Sequence, residues 1–205
     1  MYVLTQAAEA VDYEETEGED ERLVARAVAG DRAAFALLYR RYYARTFALA
    51  YGMTGRREQA DDMAQEIFLR AYERLASYRG HAGFRTWFYR LAVNHCLNHC
   101  RRERKYRDTV SDTDDGSGSR LASVAGPTGQ IEDALARRQV QEQVRRALLT
   151  LKPEMRVLLV LKEIEGWSYE EIAERLECST GTVASGLSRA RKLLARKLES
   201  LKGKI

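Results

Sequence analysis

Apolar side chains recur every three or four positions along most of this chain, which is the spacing of amphipathic helices. Such stripes run through residues 35–53, 60–75, 84–95 and 183–201. Only two prolines interrupt the chain, and Ala, Leu, Arg and Glu are abundant, as is common in helical proteins. The pattern therefore predicts an all-α fold.

Breaks in this periodicity divide the chain into two small helical domains joined by a flexible linker. Residues 1–20 carry seven acidic side chains and no basic one, and we expect them to form a disordered or loosely attached tail. A first domain is predicted over residues 21–106 and a second over residues 131–205. Between them, residues 107–130 are rich in Asp, Gly and Ser, which is typical of a flexible acidic spacer.

The second domain contains the pattern of a helix, a tight turn and another helix. Ser168 followed by Glu171 predicts a capping box at the start of the first helix. Glu177 and Cys178 fill a short turn, and Ser179 can cap the next helix. One side of that second helix is apolar and the other is cationic, which is typical of a helix-turn-helix that reads the major groove of DNA.

The helix predicted near residues 85–105 carries a second candidate nucleic-acid surface. Its polar stripe contains Arg90, Asn94, Asn98, Arg101 and Lys105. Aromatic side chains lie beside this stripe at Phe84, Trp87, Phe88 and Tyr89. Cations that hold phosphates, together with rings that stack on exposed bases, suit single-stranded DNA. The alternative is that the aromatic residues simply belong to the core.

The distribution of charge supports two nucleic-acid contacts. The net charge is only +4, but residues 85–107 contain seven basic side chains and one acidic one, as do residues 179–205. Two cationic segments in separate domains predict two contacts with a polyanion. For each segment taken alone, a solvated helix face is the competing interpretation.

The cysteines and the N-terminus are informative about the cellular compartment of the protein. Three cysteines do not indicate a disulfide framework, and no stretch approaches eighteen consecutive apolar residues. No basic and apolar signal sequence is visible at the N-terminus. We therefore expect a protein of the reducing cytoplasm with no membrane span.

A histidine and cysteine cluster raises the question of a metal site. His95 and His99 form one i, i+4 pair, and Cys96 and Cys100 form another. A single straight helix does not readily close four tetrahedral ligands around one zinc ion. Packing at the edge of the core is the default expectation, and metal or redox sensing is the alternative. We predict no metal and no cofactor.

Three blocks in this order resemble the extracytoplasmic-function group of bacterial RNA polymerase sigma factors. Residues 60–72 resemble the helix of that family that binds core polymerase, and residues 84–94 resemble its −10 recognition and melting helix. The third block, with Gly181-Thr182-Val183 and Ser188-Arg189-Ala190-Arg191, resembles its −35 reader. The likeness covers residues 21–106 and 131–200.

The resemblance implies a role for each matching surface. The clamp helices of the largest polymerase subunit would meet Asp61, Asp62, Gln65, Glu66, Phe68 and Arg70. The −10 strand would meet Tyr78, Arg79, Gly80, Phe84, Trp87, Arg90, Asn94, Asn98, Arg101 and Lys105, with residues 78–83 forming the pocket for a flipped base. The −35 element would meet Thr180, Thr182, Ser185, Ser188, Arg189 and Lys192.

The same resemblance implies the partners and the chemistry. The implied partners are core RNA polymerase, promoter DNA and an anti-sigma factor. No catalytic constellation and no phosphate-cradling glycine loop is seen, so the chain is predicted not to be an enzyme. The alternative functions are a stand-alone helix-turn-helix regulator, which would leave the helices at residues 60–72 and 84–94 without a task, and a metal or redox sensor.

The −35 block departs from the family pattern at two positions. Many members carry Lys or Arg at the position of Ala184 and Arg at that of Gly186. Two lost cationic contacts are expected to weaken DNA binding and its salt dependence. On this interpretation, Gly186→Arg would strengthen binding to −35 DNA.

Overall fold

A computed structural model describes the backbone of residues 13–110 and 128–202, and the side chains of residues 18–106 and 139–199. Within these residues the secondary structure is entirely helical, which confirms the predicted all-α fold. The helices are α1 (Tyr13–Val28), α2 (Arg32–Thr54), α3 (Arg57–Arg74), α4 (Phe84–Val110), α5 (Thr128–Leu149), α6 (Pro153–Leu159), α7 (Tyr169–Leu176) and α8 (Thr180–Lys202), with a 3-10 turn at Leu75–Ser77 and a π-helical segment at Val160–Ile164. None of the described helices is long and apolar enough to cross a bilayer.

Local signals in the sequence fix most of the helix ends. The carboxylate of Asp31 caps α2 by accepting the backbone N–H groups of Ala33 and Ala34. Gly55 ends α2 in the left-handed region, with φ of +70°. Pro153 opens α6, and the predicted capping box of Ser168 and Glu171 is confirmed at the start of α7.

Both segments expected to be flexible contain helical residues at their ends. Helix α1 begins at Tyr13, so part of the expected acidic tail is helical, and Asp20 is buried. Asp20 accepts hydrogen bonds from Arg41 and Tyr42 on α2, which the local composition of residues 1–20 did not reveal. Helix α4 continues to Val110 and α5 starts at Thr128, so both ends of the predicted linker are helical as well. Residues 1–12 of the tail and 111–127 of the linker lie outside the described residues.

The first four helices pack around a cluster of aromatic rings. Tyr42 lies at the centre, with its ring 5.6 Å from that of Phe84, 5.2 Å from Phe88 and 5.9 Å from Tyr89. Such tilted and edge-on pairs add stabilisation beyond the burial of their area. The cluster fixes the N-terminal half of α4 against α2.

The C-terminal helices pack directly on the N-terminal ones, a contact that the sequence did not predict. Helices α5 and α6 contact α2, and α6 and α7 contact α4. The ring of Trp167 stands edge-on to Tyr89 with the two centroids 4.8 Å apart. A Cβ atom at Gly52 would lie 2.8 Å from Val160 Cγ2, so only glycine permits the close approach of α2 to the π-helical segment. Buried residues of both units form one continuous core.

This packing predicts a pH dependence of stability. Burial raises the pKa of Glu165 from its ordinary value near 4.5 to about 7, and the nearby Arg45 offsets part of that rise. The folded chain therefore favours the protonated carboxyl, and that contribution to stability is lost as pH rises from about 4.5 through about 7. We expect the thermal unfolding midpoint to fall over this range in the natural chain and to fall less in Glu165→Gln.

The control for this measurement is Glu73→Gln, a change on the exposed face of α3. Its pH profile is expected to follow that of the natural chain. Equal pH profiles for the natural chain and Glu165→Gln would show that Glu165 is not held in its protonated form by the fold.

Candidate nucleic-acid and polymerase interfaces

The predicted polymerase face lies along α3. Asp62, Gln65, Glu66 and Arg70 are exposed there. Asp61 is half-buried, accepts a hydrogen bond of 2.5 Å from the Tyr43 hydroxyl, and through that bond raises the pKa of Tyr43 to about 12. The face is therefore a mixed-charge surface anchored at one end to α2.

Phe68 was predicted to belong to this face, and the structure corrects that assignment. Phe68 is only 4% exposed. Its ring centroid lies 4.5 Å from that of Tyr39 and 5.0 Å from that of Phe88. Its large apolar ring is buried in the core, so it supports the face from beneath and offers nothing to a partner.

The polar stripe of α4 is accessible along its middle and C-terminal turns. Asn94, Asn98, Arg101 and Lys105 are exposed. Phe84, which was predicted to contact DNA, is 1% exposed and therefore belongs to the core. Trp87 is half-buried and packs against both Tyr78, at 5.5 Å between centroids, and Phe84, at 5.6 Å.

The loop from Tyr78 to Gly83 joins α3 to the start of α4. Arg79 and Gly80 are exposed at its tip, and Gly80 adopts φ of +72°. The Tyr78 hydroxyl lies 2.7 Å from the carbonyl oxygen of Ala82 and closes the loop. The loop thus has an exposed tip, and its first residue, Tyr78, packs on the half-buried ring of Trp87.

A cleft between α3 and α4 connects the two predicted surfaces. It is lined in part by Glu66, Arg70, Asn94, His95 and Asn98. His95 Nε2 is 3.1 Å from a carboxylate oxygen of Glu66. Burial and the positive charge of Arg70 lower the pKa of His95. The residues predicted from two separate motifs therefore form one continuous surface.

The histidine and cysteine pairs do not converge on one point. Cys96 and Cys100 are buried in the core, and burial raises the pKa of the Cys96 thiol. His95 and His99 instead line the cleft beside Glu66. Among the residues that the structure describes, no three side chains of the metal-binding types form a group that could hold an ion. The burial of Cys96 and Cys100 agrees with the expectation that the cysteines pack in the core.

The second helix of the helix-turn-helix presents its predicted polar face to solvent. Thr180, Thr182, Ser185, Ser188, Arg189 and Lys192 are all exposed. Ser179 accepts the backbone N–H of Thr182 at 3.1 Å and so caps the helix, as predicted. On the opposite side, Val183, Leu187 and Ala190 are fully buried.

Comparisons with known proteins match both halves of the chain. The family model for sigma-70 region 2 matches residues 38–106, and that for sigma-70 region 4 matches residues 141–194. The RNA polymerase sigma-H factor of Pseudomonas aeruginosa is 35% identical over 91% of this chain and 97% of its own length. The ECF RNA polymerase sigma-E factor of Escherichia coli K12 is 35% identical over 89% of this chain and 95% of its own.

The chain belongs to the ECF sigma factors of RNA polymerase.

Solved structures share this fold. CnrH in complex with the cytosolic domain of CnrY has a TM-score of 0.60 at 26% identity, covering 88% of this sigma factor and 97% of CnrH. The sigma factor RpoE in complex with the anti-sigma factor NepR from Bartonella quintana has a TM-score of 0.57 at 22% identity, covering 80% of this chain and 96% of RpoE.

In this sigma factor, region 4 covers part of the region 2 surface. Arg90 of α4 pairs with Glu177 beyond α7 at 2.7 Å, and Arg85 pairs with Glu171 at 3.2 Å. Further along α4, Arg101 pairs with Glu154 of α6 at 2.7 Å. Carboxylates of region 4 thus pair with Arg90 and Arg101, two of the cations that the sequence assigned to DNA phosphates.

Sequence reasoning missed the region 4 side of this contact. Glu171 and Glu174 of α7 have partners that lie more than eighty residues earlier in the chain, on α4. The available signal was the presence of carboxylates in region 4 and of arginines in region 2. Sequence reasoning also missed the role of Glu21 in α1, because the sequence offered no signal for it.

The structure overturns the expectation for Gly186→Arg. Gly186 lies on the buried side of α8, where a Cβ atom would be 2.6 Å from Leu158 Cδ1. A charge at this position would therefore not lie on the exposed polar side of α8, which is the side that the sequence predicted to meet DNA. Glycine here permits the close packing of α8 on α6.

We expect Gly186→Arg to lower the free energy of unfolding by about 1–3 kcal/mol, because a long charged side chain would be forced into a packed helix contact. The measurement is the urea unfolding midpoint, with Ala184→Arg as the matched control at the half-buried neighbouring position. Equal urea midpoints for Gly186→Arg and Ala184→Arg would show that the Leu158 side chain moves aside without a loss of stability.

Proposed function

We propose that three surfaces divide the work of this sigma factor. The exposed face of α3, with Asp61, Asp62, Gln65, Glu66 and Arg70, binds the clamp helices of the largest polymerase subunit. The polar stripe of α4 and the loop before it bind the −10 strand, and the exposed face of α8 binds the −35 element. Phe68 and Phe84 hold the first two surfaces in shape from the core.

The observation that carries this proposal is the cleft between α3 and α4. It brings Glu66 and Arg70 from one motif beside Asn94 and Asn98 from another. A strand of DNA bound along α4 would therefore lie against the polymerase clamp bound along α3. This juxtaposition favours a promoter-opening subunit over a stand-alone helix-turn-helix regulator, which needs no second surface of this kind.

The division into domains is part of the same proposal. Residues 21–106 would act as the −10 unit and residues 131–205 as the −35 unit, and the two matched family segments lie inside these limits. The chain would act as a non-catalytic subunit in the bacterial cytoplasm, where RNA polymerase works. Melting would draw on binding energy, with each stacked base contributing roughly 1–3 kcal/mol.

An anti-sigma factor is the third proposed partner. CnrH, which shares this fold, was solved bound to the cytosolic domain of CnrY, and the RpoE structure holds an anti-sigma factor. A partner that bridged regions 2 and 4 would hold Arg90 and Arg101 on their glutamates and away from DNA.

Two variants test the division between α4 and α8. In transcription complexes with core polymerase, Asn94→Ala is expected to weaken binding of a single-stranded −10 oligonucleotide about tenfold, because one bidentate contact is worth roughly 1–3 kcal/mol. Arg189→Ala is expected to weaken binding of a −35 duplex by a similar factor. Each variant serves as the control for the other substrate, and a loss on both substrates by either variant would contradict the division.

The glutamates of region 4 allow a test of whether their ion pairs with Arg90 and Arg101 mask α4 from DNA in the free protein. Because an exposed ion pair is worth about 0.2–1 kcal/mol, the double variant Glu154→Gln, Glu177→Gln is expected to bind the −10 oligonucleotide about two- to tenfold more tightly as the free protein. The matched control is Glu163→Gln, which breaks a pair with Arg191 inside region 4. The proposal that these pairs mask α4 is wrong if Glu163→Gln gains as much affinity for the −10 oligonucleotide as the double variant does.

A further inference from the structure

One carboxylate of α1 reaches the loop between α3 and α4. Oε1 of Glu21 accepts a hydrogen bond of 2.6 Å from the Tyr78 hydroxyl and another of 3.1 Å from the backbone N–H of Phe84. Tyr78 opens the loop, and Phe84 is the first residue of α4. A single oxygen atom therefore holds both ends of the loop, from a helix that lies before the segment matched by the region 2 family model.

The start of α4 needs such an acceptor from outside. The first N–H groups of a helix have no partner within it, and a side chain at the preceding position normally accepts one. Gly83 occupies that position and has no side chain. Glu21 supplies the missing acceptor, and its negative charge lies at the positive end of the α4 dipole.

The neighbouring residue keeps Glu21 in place. Asp20 is 1% exposed, accepts a hydrogen bond of 2.5 Å from Arg41, and also accepts the Tyr42 hydroxyl. A buried carboxylate is tolerated only where partners of this kind satisfy it, so the rotation of α1 about its axis is fixed. Tyr42 in turn packs on Phe84, so α1, α2 and the start of α4 form one bonded group.

We propose that Glu21 is a positioning residue for promoter opening, which fixes the loop of residues 78–83 in the shape that receives a base leaving the duplex. This inference rests on the proposed function of that loop. The tip at Arg79 and Gly80 is exposed, and Gly80 holds a positive φ. With Glu21 in place the loop is ordered before DNA arrives, so binding does not have to supply the free energy of ordering it.

The variants separate the acceptor from the charge. Glu21→Ala removes both hydrogen bonds, whereas Glu21→Gln keeps an acceptor oxygen for the same two donors. Tyr78→Phe removes the hydroxyl, and with it the contacts to Glu21 and to the Ala82 carbonyl, and leaves the α4 cap. The matched control is Glu19→Ala, which removes a carboxylate two residues away that pairs with Arg41 at 2.7 Å.

The experiment uses the full chain bound to core polymerase and a single-stranded −10 oligonucleotide with 2-aminopurine at each position in turn. Loss of a hydrogen bond to a charged group is expected to weaken capture of the fluorescent base about tenfold in Glu21→Ala. Glu21→Gln is expected to stay within about threefold of the natural chain, Tyr78→Phe to fall between them, and Glu19→Ala to match the natural chain. Binding to core polymerase and to a −35 duplex is expected to stay unchanged in all four.

Two results would overturn the proposal. The first is base capture by Glu21→Ala equal to that by Glu19→Ala. The second is a parallel loss of base capture, polymerase binding and thermal stability in Glu21→Ala and Tyr78→Phe, which would make the contact structural only. Failure of the proposed function itself looks different, because the natural chain bound to core polymerase would then capture no −10 base at all.

Discussion

The guanidinium of Arg156 joins the two halves of this sigma factor. It is buried, and it donates to the carbonyl oxygens of Leu148 at 3.1 Å, Leu149 at 2.6 Å and Leu151 at 3.1 Å, and to that of Met53. These oxygens lie at the C-terminal ends of α5 and α2, where helix carbonyls lack partners and the dipole is negative. Removing the guanidinium would take one donor from each of these four carbonyl oxygens, so region 4 is held on region 2 at this point.

The position of region 4 follows from that junction. With α5 and α6 fixed on α2, Trp167 packs between the ring of Tyr89 and the guanidinium of Arg175, which lies 4.4 Å from the indole centroid. Helix α7 then lies over the first turns of α4. The exposed ion pairs between α4 and region 4 contribute little stability. Their effect is to place carboxylates of region 4 beside Arg90 and Arg101 of α4. Under the proposed function, glutamates of region 4 occupy two arginines that would meet DNA phosphates, so the contact that stabilises the free chain would oppose promoter binding.

The elements that local sequence determines were predicted well. Capping by Ser168 with Glu171, the proline at the start of α6 and the polar face of α8 depend on neighbours within a few residues. The −10 and polymerase surfaces were predicted through resemblance, and Asn94, Asn98, Glu66 and Arg70 do lie together at one cleft.

What the sequence could not predict depends on distant partners. Phe68 and Phe84 lie within the sequence blocks that resemble the family. Their burial depends on rings from other helices, namely Tyr39 and Phe88 for Phe68 and Tyr42 for Phe84. Asp20 was assigned to a flexible acidic tail and Glu21 to the start of the first domain, and both are held by residues 21 to 63 positions later in the chain. Gly186 appeared to be a lost charge, and only the packing of Leu158 on α8 gives the physical reason for a glycine there.

If the ion pairs of region 4 mask α4 in the free protein, as proposed, region 4 must leave α4 when this sigma factor joins core polymerase. The most direct measurement is the distance between spin labels at Arg102 on α4 and Lys152 before α6, two exposed positions beside the pair of Arg101 and Glu154. A short and narrow distance distribution is expected in the free protein, and a much longer one in the complex with core polymerase. An unchanged short distance in a complex that initiates transcription would contradict the claim.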